Sequence, residues 1–491
     1  MPDVILSIDQ GTTSSRTLVI SQDGAILHAE QEEFPQIYPQ DGWVEHDPEA
    51  IWASVERTLR DCRDWCVEND HRPVAIGITN QRETTLVWDR ETGECLYNAI
   101  VWQDRRTAAR CRALAKAMPP TQLQAKTGLL HDPYFSATKI AWILDHVDGA
   151  RSKAEAGDLC FGTVDSFLIW RLTGGAVHAT DATNASRTNL FNIRENVWDT
   201  ELLALFGVPA AGLPDVRDCV ADYGHWTDGE VKDIPICGVA GDQQAAAIGQ
   251  VCTAPGDIKS TYGTGCFVIL NTGSDCLTSK NKLLSTIAYR IDGQTAYALE
   301  GSIFIAGAGV QWLRDEMQLI DHAAETQAIC EGLNDNHGVY LVPAFTGLGA
   351  PYWEPDVRGA LFGLTRDTGR AHVVRATVES VVYQTHDLFT AMAKDGAQPK
   401  SLRVDGGMVA NDWMVSHLSD VLDLPVERPE ILETTAMGAA YLAMIGAGLV
   451  GGLDDLSALW NRDRLFEPAM AANQRKSLLD GWADCVRRLL A

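Results

Sequence analysis

The run Asp9-Gln10-Gly11-Thr12-Thr13-Ser14-Ser15-Arg16 joins a carboxylate, a glycine, four hydroxyls and a guanidinium within eight residues. A glycine lets the backbone turn with its amides outward. The hydroxyls can then receive phosphate oxygens, and Arg16 adds a charge-assisted donor. Asp9 ends an apolar stretch and offers hard oxygen ligands suited to Mg²⁺, directly or through water. A plain polar turn uses the same residue types, so this run alone does not decide between the two. Thr261-Tyr262-Gly263-Thr264-Gly265 is likewise an ordinary glycine turn by itself, but it stands in the second half where the first run stands in the first. Together they read as a two-jawed phosphate clamp. Asp405-Gly406-Gly407 with Asn411 admits two readings: close approach of a flat ring or a ribose, or a helix start packed on a sheet. The chain has no GxxxxGK-S/T loop and no protein-kinase signature set, so phosphoryl transfer here needs a different cradle.

A second group of polar residues lies at predicted strand ends: Arg82-Glu83, Tyr134 and Asp242-Gln243. Each adjoins apolar residues, where charge is costly without partners. A hydroxylated ligand would satisfy them. So would a simple Arg82–Glu83 ion pair, and Asp242 could simply cap a helix.

Strands and turns must place these groups. Val4–Asp9, Thr17–Ile20 and Ala25–Glu30 read as strands, with Asp23-Gly24 as a hairpin turn. Asp47-Pro48 opens a helix with Asp as N-cap, and Ile51, Trp52, Val55, Leu59 and Cys62 share one face. Val74–Thr79 and Ile236–Ala240 are buried strands, the latter followed by a helix over 243–250. Asp257–Thr261, Cys266–Leu270, Leu283–Ile291, Gln294–Leu299 and Leu402–Val404 supply the second half. Two halves that both open strand, Gly/Thr turn, strand imply a duplicated fold divided near residue 250.

The bulk numbers agree with a soluble globular protein of two or three domains. The chain has 491 residues, 46% hydrophobic and 22% charged, with a formal net charge of −26. Such a field excludes nucleic acid and anionic membranes as partners. Any nucleotide must be held by local features such as backbone amides and helix N-termini. Twelve cysteines without framework spacing read as core thiols of a reducing, cytoplasmic compartment. The segment 434–453 carries no charge but is rich in Ala, Gly and Met, so it is expected to be a buried helix and not a membrane span.

Together these residues resemble the FGGY carbohydrate kinases. Tyr134, Ser136, Lys139, Ile140 and Trp142 are similar to one signature of that family. Gly359, Leu361, Gly363 and Leu364, followed by His372, Val373, Ala376, Thr377, Val378 and Glu379, are similar to the other. GWVEHDP (42–48), GITNQRETT (77–85), NAIVWQ (98–103), AGDQQAA (240–246), YGTGCF (262–267) and VPAFTGLGAPYW (342–353) resemble the members that act on glycerol. The resemblance implies an actin-like, ribonuclease H-like duplicated α/β fold with an interdomain cleft, divided as 1–250 and 251–491. It implies ATP as co-substrate with Mg²⁺, glycerol as acceptor, and a homodimer or homotetramer.

By that resemblance Arg82, Glu83, Tyr134, Asp242 and Gln243 bind the polyol hydroxyls, with Trp102 and Phe267 along its carbon chain. Thr12, Thr13, Ser14, Arg16 and Thr264 face the phosphates, and Gly307, Gln311, Gly407 and Asn411 hold the nucleotide. Asp9 serves Mg²⁺, and Asp242 is the base. Two alternatives use the same nucleotide loops: an actin-like or chaperone-type ATPase, or a kinase of another sugar or polyol. The Arg82-Glu83 and Asp242-Gln243 pairs favour a polyol kinase over the former. The segment 226–233 lacks the arginine that accompanies fructose 1,6-bisphosphate inhibition in this family. Its Asp228, Glu230 and Asp233 outnumber Lys232, which predicts weak or no response to a bisphosphate.

Overall fold

The computed structural model describes residues 1–227, 234–354, 356–397 and 399–491. The regulatory expectation for Asp228, Glu230, Lys232 and Asp233 therefore lies outside the described residues. Two mixed sheets organise the rest. The first holds β1 (Asp3–Gln10), β2 (Ser14–Ser21), β3 (Ile26–Glu33), β4 (Arg72–Asn80), β5 (His225–Trp226) and β6 (Ile234–Gly241), in the order β5-β6-β4-β1-β2-β3. The second holds β7 (Ile258–Tyr262), β8 (Cys266–Gly273), β9 (Leu284–Ile291), β10 (Gln294–Ile303), β11 (Leu402–Asp405), β12 (Val426–Pro429) and β13 (Arg462–Phe466). Its order is β9-β10-β8-β7-β11-β12-β13.

The expected duplication is visible in the pairing. In the first sheet β3, β2 and β1 are antiparallel neighbours, and β1, β4 and β6 run parallel. In the second, β10, β8 and β7 repeat the antiparallel part, and β7, β11 and β12 the parallel part. The hairpin partner β9 extends the second copy. This repeated order is the actin-like arrangement. Open sheets of this kind bind ligands beyond the carboxyl ends of their parallel strands. Asp9, Arg82 and Asp242 lie there in one half, and Thr264 and Gly407 in the other.

Local signals hold as read. Asp23-Gly24 turns the first hairpin, with Gly24 at φ +84°. Asp47 caps α1 (Pro48–Glu68) by accepting from Glu49 N at 2.9 Å. Ile51, Val55, Leu59 and Cys62 are buried against the first sheet, while Trp52 is half-buried. All twelve cysteines are free thiols.

The uncharged late segment forms a helix over Thr434–Gly446, shorter than the run that suggested it. Among the described residues no helix is long and apolar enough to cross a membrane. Although late in the chain, this helix packs on β6, β4 and β1 of the first sheet and along the helix Asp242–Gly249. Its residues Ala436, Ala440 and Leu442 join Ile5, Leu18 and Ala75 in one core. The two helices touch through backbone: a Cβ at Gly438 would lie 1.8 Å from the Ala245 carbonyl oxygen, and one at Gly249 would lie 1.9 Å from that of Thr434. Gly438→Ala must push the helices apart. We expect it to cost about 1–3 kcal/mol, read as a lower urea midpoint at unchanged m-value.

Candidate functional site

The carboxyl ends of β1, β4 and β6 bring the predicted polyol residues together. Arg82 is buried, and its Nε lies 3.2 Å from Asp242 Oδ1 but 3.9 Å from Glu83 Oε1. The simple Arg82–Glu83 ion pair is thus the weaker contact. The dominant partner of Arg82 is Glu300, from β10 of the other sheet, which accepts from both terminal nitrogens at 2.7 and 3.1 Å. Glu83 instead accepts from Arg187 Nε at 2.6 Å, and Arg187 also donates to Glu300 at 2.9 Å. Two arginines and two carboxylates therefore form one buried cluster joining the halves of the chain. Burial raises the Glu83 carboxyl, with Arg187 and Arg82 opposing.

Asp242 is the first residue of its helix, and Gly241 is the N-cap. Besides its ion pair with Arg82, its Oδ1 accepts the adjacent Gln243 N–H at 2.7 Å, so it is not the cap that the sequence allowed. Burial raises its carboxyl above the ordinary range, and Arg82 and Lys259 counteract. Lys259, buried on β7, donates to Gln243 Oε1 at 2.6 Å and to Thr261 Oγ1 at 2.9 Å. This fixes the amide of Gln243 with its NH₂ group left to donate.

Three aromatic rings line this cluster. Trp102 meets Tyr134 edge-on at 5.7 Å between centroids and Phe267 at 6.3 Å. Burial raises the Tyr134 phenol, reinforced by Glu83. The Trp102 indole also donates to Thr12 Oγ1 at 3.1 Å. One side chain from the first half thus touches the first hydroxyl turn and, through Phe267, the second hairpin.

In the first turn Gly11 N bonds Ser14 O at 2.9 Å. Thr13 is exposed, and Ser14 Oγ accepts from Gln31 at 3.0 Å. Ser15 corrects the count of four available hydroxyls. It is buried and bonded to Ser54 of α1 at 2.8 Å, because the alternation of β2 turns it into the core. Arg16 pairs with Glu433 and Gln31.

Asp9 lies where negative charge gathers. Burial pushes its carboxyl up to about 7; Arg16 opposes this, while Asp242 and Glu433 add to it. Among the described residues no group of three His, Cys, Asp or Glu side chains forms a metal site. A crowded carboxylate that lacks a full ligand set fits Mg²⁺, which is usually held by one or two carboxylates plus substrate phosphates.

The second jaw packs around the Tyr262–Gly265 turn. Ala306 N and Ala308 N both donate to Thr264 O at 3.0 Å, and Gly307 N donates to Gly263 O at 2.9 Å. The helix Gly307–Asp315 therefore starts on this turn, with Gln311 exposed one turn further along the Gly307 face. Gly406, at φ +92°, abuts the Tyr262 backbone, where a Cβ would sit 2.5 Å from its carbonyl oxygen. Gly407 has open space at its Cβ position. Close packing thus accounts for Gly406, while Gly407 is not required by packing. Asn411 caps the helix Asp412–Leu422 through Met414 N at 2.9 Å and donates to Thr326 at 3.0 Å. One amide hydrogen and one lone pair remain.

Glu300, Arg187 and Lys259 escaped the sequence reading as site residues. Their signal was present: each is a lone charge in a buried segment, such as Ala298-Leu299-Glu300-Gly301. Which distant charge each one meets is set by the fold.

Residues 4–249 match the model of the FGGY family of carbohydrate kinases, N-terminal domain, and residues 258–447 that of the C-terminal domain. A glycerol kinase of Rhodospirillum centenum is 62% identical over 486 residues, covering 99% of this chain and 97% of that one. Glycerol kinase 1 of Pseudomonas aeruginosa is 57% identical over 493 residues, covering 100% and 99%. The crystal structure of Plasmodium falciparum glycerol kinase with ADP superposes with a TM-score of 0.95 at 36% identity, covering 100% of this chain and 99% of that chain.

Proposed function

The chain belongs to the FGGY family of carbohydrate kinases, and from that premise we propose that it transfers the γ-phosphoryl group of ATP to glycerol, giving sn-glycerol 3-phosphate and ADP. The observation that carries this reading is the compact cluster of Arg82, Glu83, Tyr134, Asp242 and Gln243 beside Trp102 and Phe267. It offers donors and acceptors for several hydroxyls and an apolar wall for a short carbon chain. The near full-length relatives that are glycerol kinases support the same substrate.

Arg82, Glu83, Tyr134 and Gln243 orient the hydroxyls in this scheme. Asp242 takes the proton of the attacking hydroxyl as the new O–P bond forms and the bond to ADP breaks. Thr12, Thr13 and Ser14 receive phosphate oxygens from one side and Thr264 from the other, with Arg16 adding positive charge. Gly307, Gln311, Gly407 and Asn411 hold the nucleotide. Asp9 would hold Mg²⁺ with the nucleotide phosphates, and the ion would supply charge neutralisation there. We place the polyol side in residues 1–250 and the nucleotide side in 251–491, and the enzyme in the cytoplasm. ADP formation across a panel of glycerol, xylulose, ribulose and gluconate tests the reading. Glycerol should be turned over fastest, and faster turnover of a five- or six-carbon substrate would overturn it.

A further inference from the structure

Glu83 carries an unusual backbone. Its φ is +60°, a left-handed conformation that costs a residue with a Cβ roughly 1–2 kcal/mol. Three side chains converge on its carbonyl oxygen: Thr85 Oγ1 at 2.9 Å, Ser136 Oγ at 3.1 Å and Lys139 Nζ at 3.2 Å. The same Lys139 ammonium donates to the Tyr134 carbonyl at 2.6 Å. Lys139 belongs to the helix Ser136–His146 and is fully buried.

A buried ammonium is a poor way to stabilise a fold, since an apolar side chain of similar length fills the same space without desolvation cost. Burial lowers its pKa to about 8, and Glu83, Asp104 and Asp132 keep it from falling further. The charge must be explained by what it holds. It holds the main chains of two residues whose side chains line the polyol pocket, one of them in a conformation that the backbone does not favour. If the peptide after Glu83 relaxed, its carbonyl would leave all three donors and the Glu83 side chain would leave Arg187.

We infer that Lys139 is a positioning residue, whose ammonium clamps the backbones of Glu83 and Tyr134 so that both side chains meet the polyol in one fixed geometry. The inference rests on the polyol reading of the pocket. Ser136 is its accessory, donating to the same carbonyl. Two of the positions that stand out in the motif Tyr134-x-Ser136-x-x-Lys139 thereby gain a physical role without touching the substrate.

The test uses the full-length protein. Wild type is assayed first: if it forms no ADP in response to glycerol, the substrate reading fails and not this one. With an active wild type, Lys139→Met is expected to raise the glycerol KM roughly 10- to 100-fold, the range of one or two charge-assisted hydrogen bonds. The fall in kcat should be smaller, with ATP affinity and thermal midpoint nearly unchanged. A folded Lys139→Met protein with an unchanged glycerol KM overturns the inference, as does a loss confined to kcat. If that variant does not fold, Ser136→Ala decides: a smaller rise in glycerol KM supports the clamp, and an unaltered KM overturns it.

Discussion

Asp242→Asn is expected to lower kcat by roughly 10²–10⁴-fold, the usual contribution of a general base. A glycerol hydroxyl is a weak nucleophile at neutral pH and must lose its proton as the phosphoryl group arrives. Asp242 stands beside Gln243 at the carboxyl end of β6, its Oδ1 3.2 Å from Arg82 Nε. Burial raises its carboxyl above the ordinary range, with Arg82 and Lys259 opposing. Asparagine keeps the shape and an acceptor for Arg82 but cannot take a proton. ATP affinity should therefore stay nearly unchanged. Asp9→Asn separates the two carboxylates: it should raise the Mg²⁺ concentration needed for half-maximal rate, roughly 10-fold or more. The measurements are kcat, nucleotide affinity and Mg²⁺ dependence for both variants. Near wild-type kcat in Asp242→Asn would move the base elsewhere, with Glu83 the next candidate.

Glu300→Ala is expected to destabilise the protein by about 3–5 kcal/mol. Glu300 is wholly buried and neutralises Arg82 and Arg187 together. Removing it leaves two buried guanidiniums with too few acceptors, which costs far more than the net contribution of an intact pair. Because Glu300 comes from β10 and the arginines from the first half, the loss also loosens the contact between the two sheets. Burial alone would raise the Glu300 carboxyl, but Arg187 and Arg82 outweigh it and hold it at about 2, below its ordinary 4.5. A depressed carboxylate contributes stability that is fully present above its unfolded pKa. That contribution fades as pH falls from about 4.5 through about 2. Urea unfolding of wild type and variant at neutral pH and near pH 3 checks both points. The difference between them should shrink in acid. A neutral-pH loss within the ordinary range of a surface change, about 0.5 kcal/mol, would contradict the assignment.

The parts of this molecule that depend on neighbours in sequence were legible from it. The Asp23-Gly24 hairpin, the Asp47 cap, the apolar face of α1 and the two strand–turn–strand openings are set by residues within a few positions of one another. So was the position of Arg82 and Asp242 just beyond the ends of buried strands. What the sequence could not reveal depends on distant pairing. Arg82 reads naturally as the partner of Glu83, yet its main partner is 218 residues away. Ser15 looks like a fourth phosphate hydroxyl until the alternation of β2 turns it toward Ser54. The segment after Thr434 announces close packing through its glycines, but not that it returns to cover the first sheet. The clamp of Lys139 on Glu83 needs both a helix register and a left-handed residue, and neither is written in local composition.

The central claim is transfer of a phosphoryl group to glycerol and not hydrolysis of ATP. It is tested most directly by incubating the protein with ATP, Mg²⁺ and glycerol and following ADP, inorganic phosphate and sn-glycerol 3-phosphate together. ADP and sn-glycerol 3-phosphate should form in equal amounts, with little inorganic phosphate and almost no ADP when glycerol is left out. ADP released with inorganic phosphate at a rate indifferent to glycerol would contradict the account and point to an ATPase.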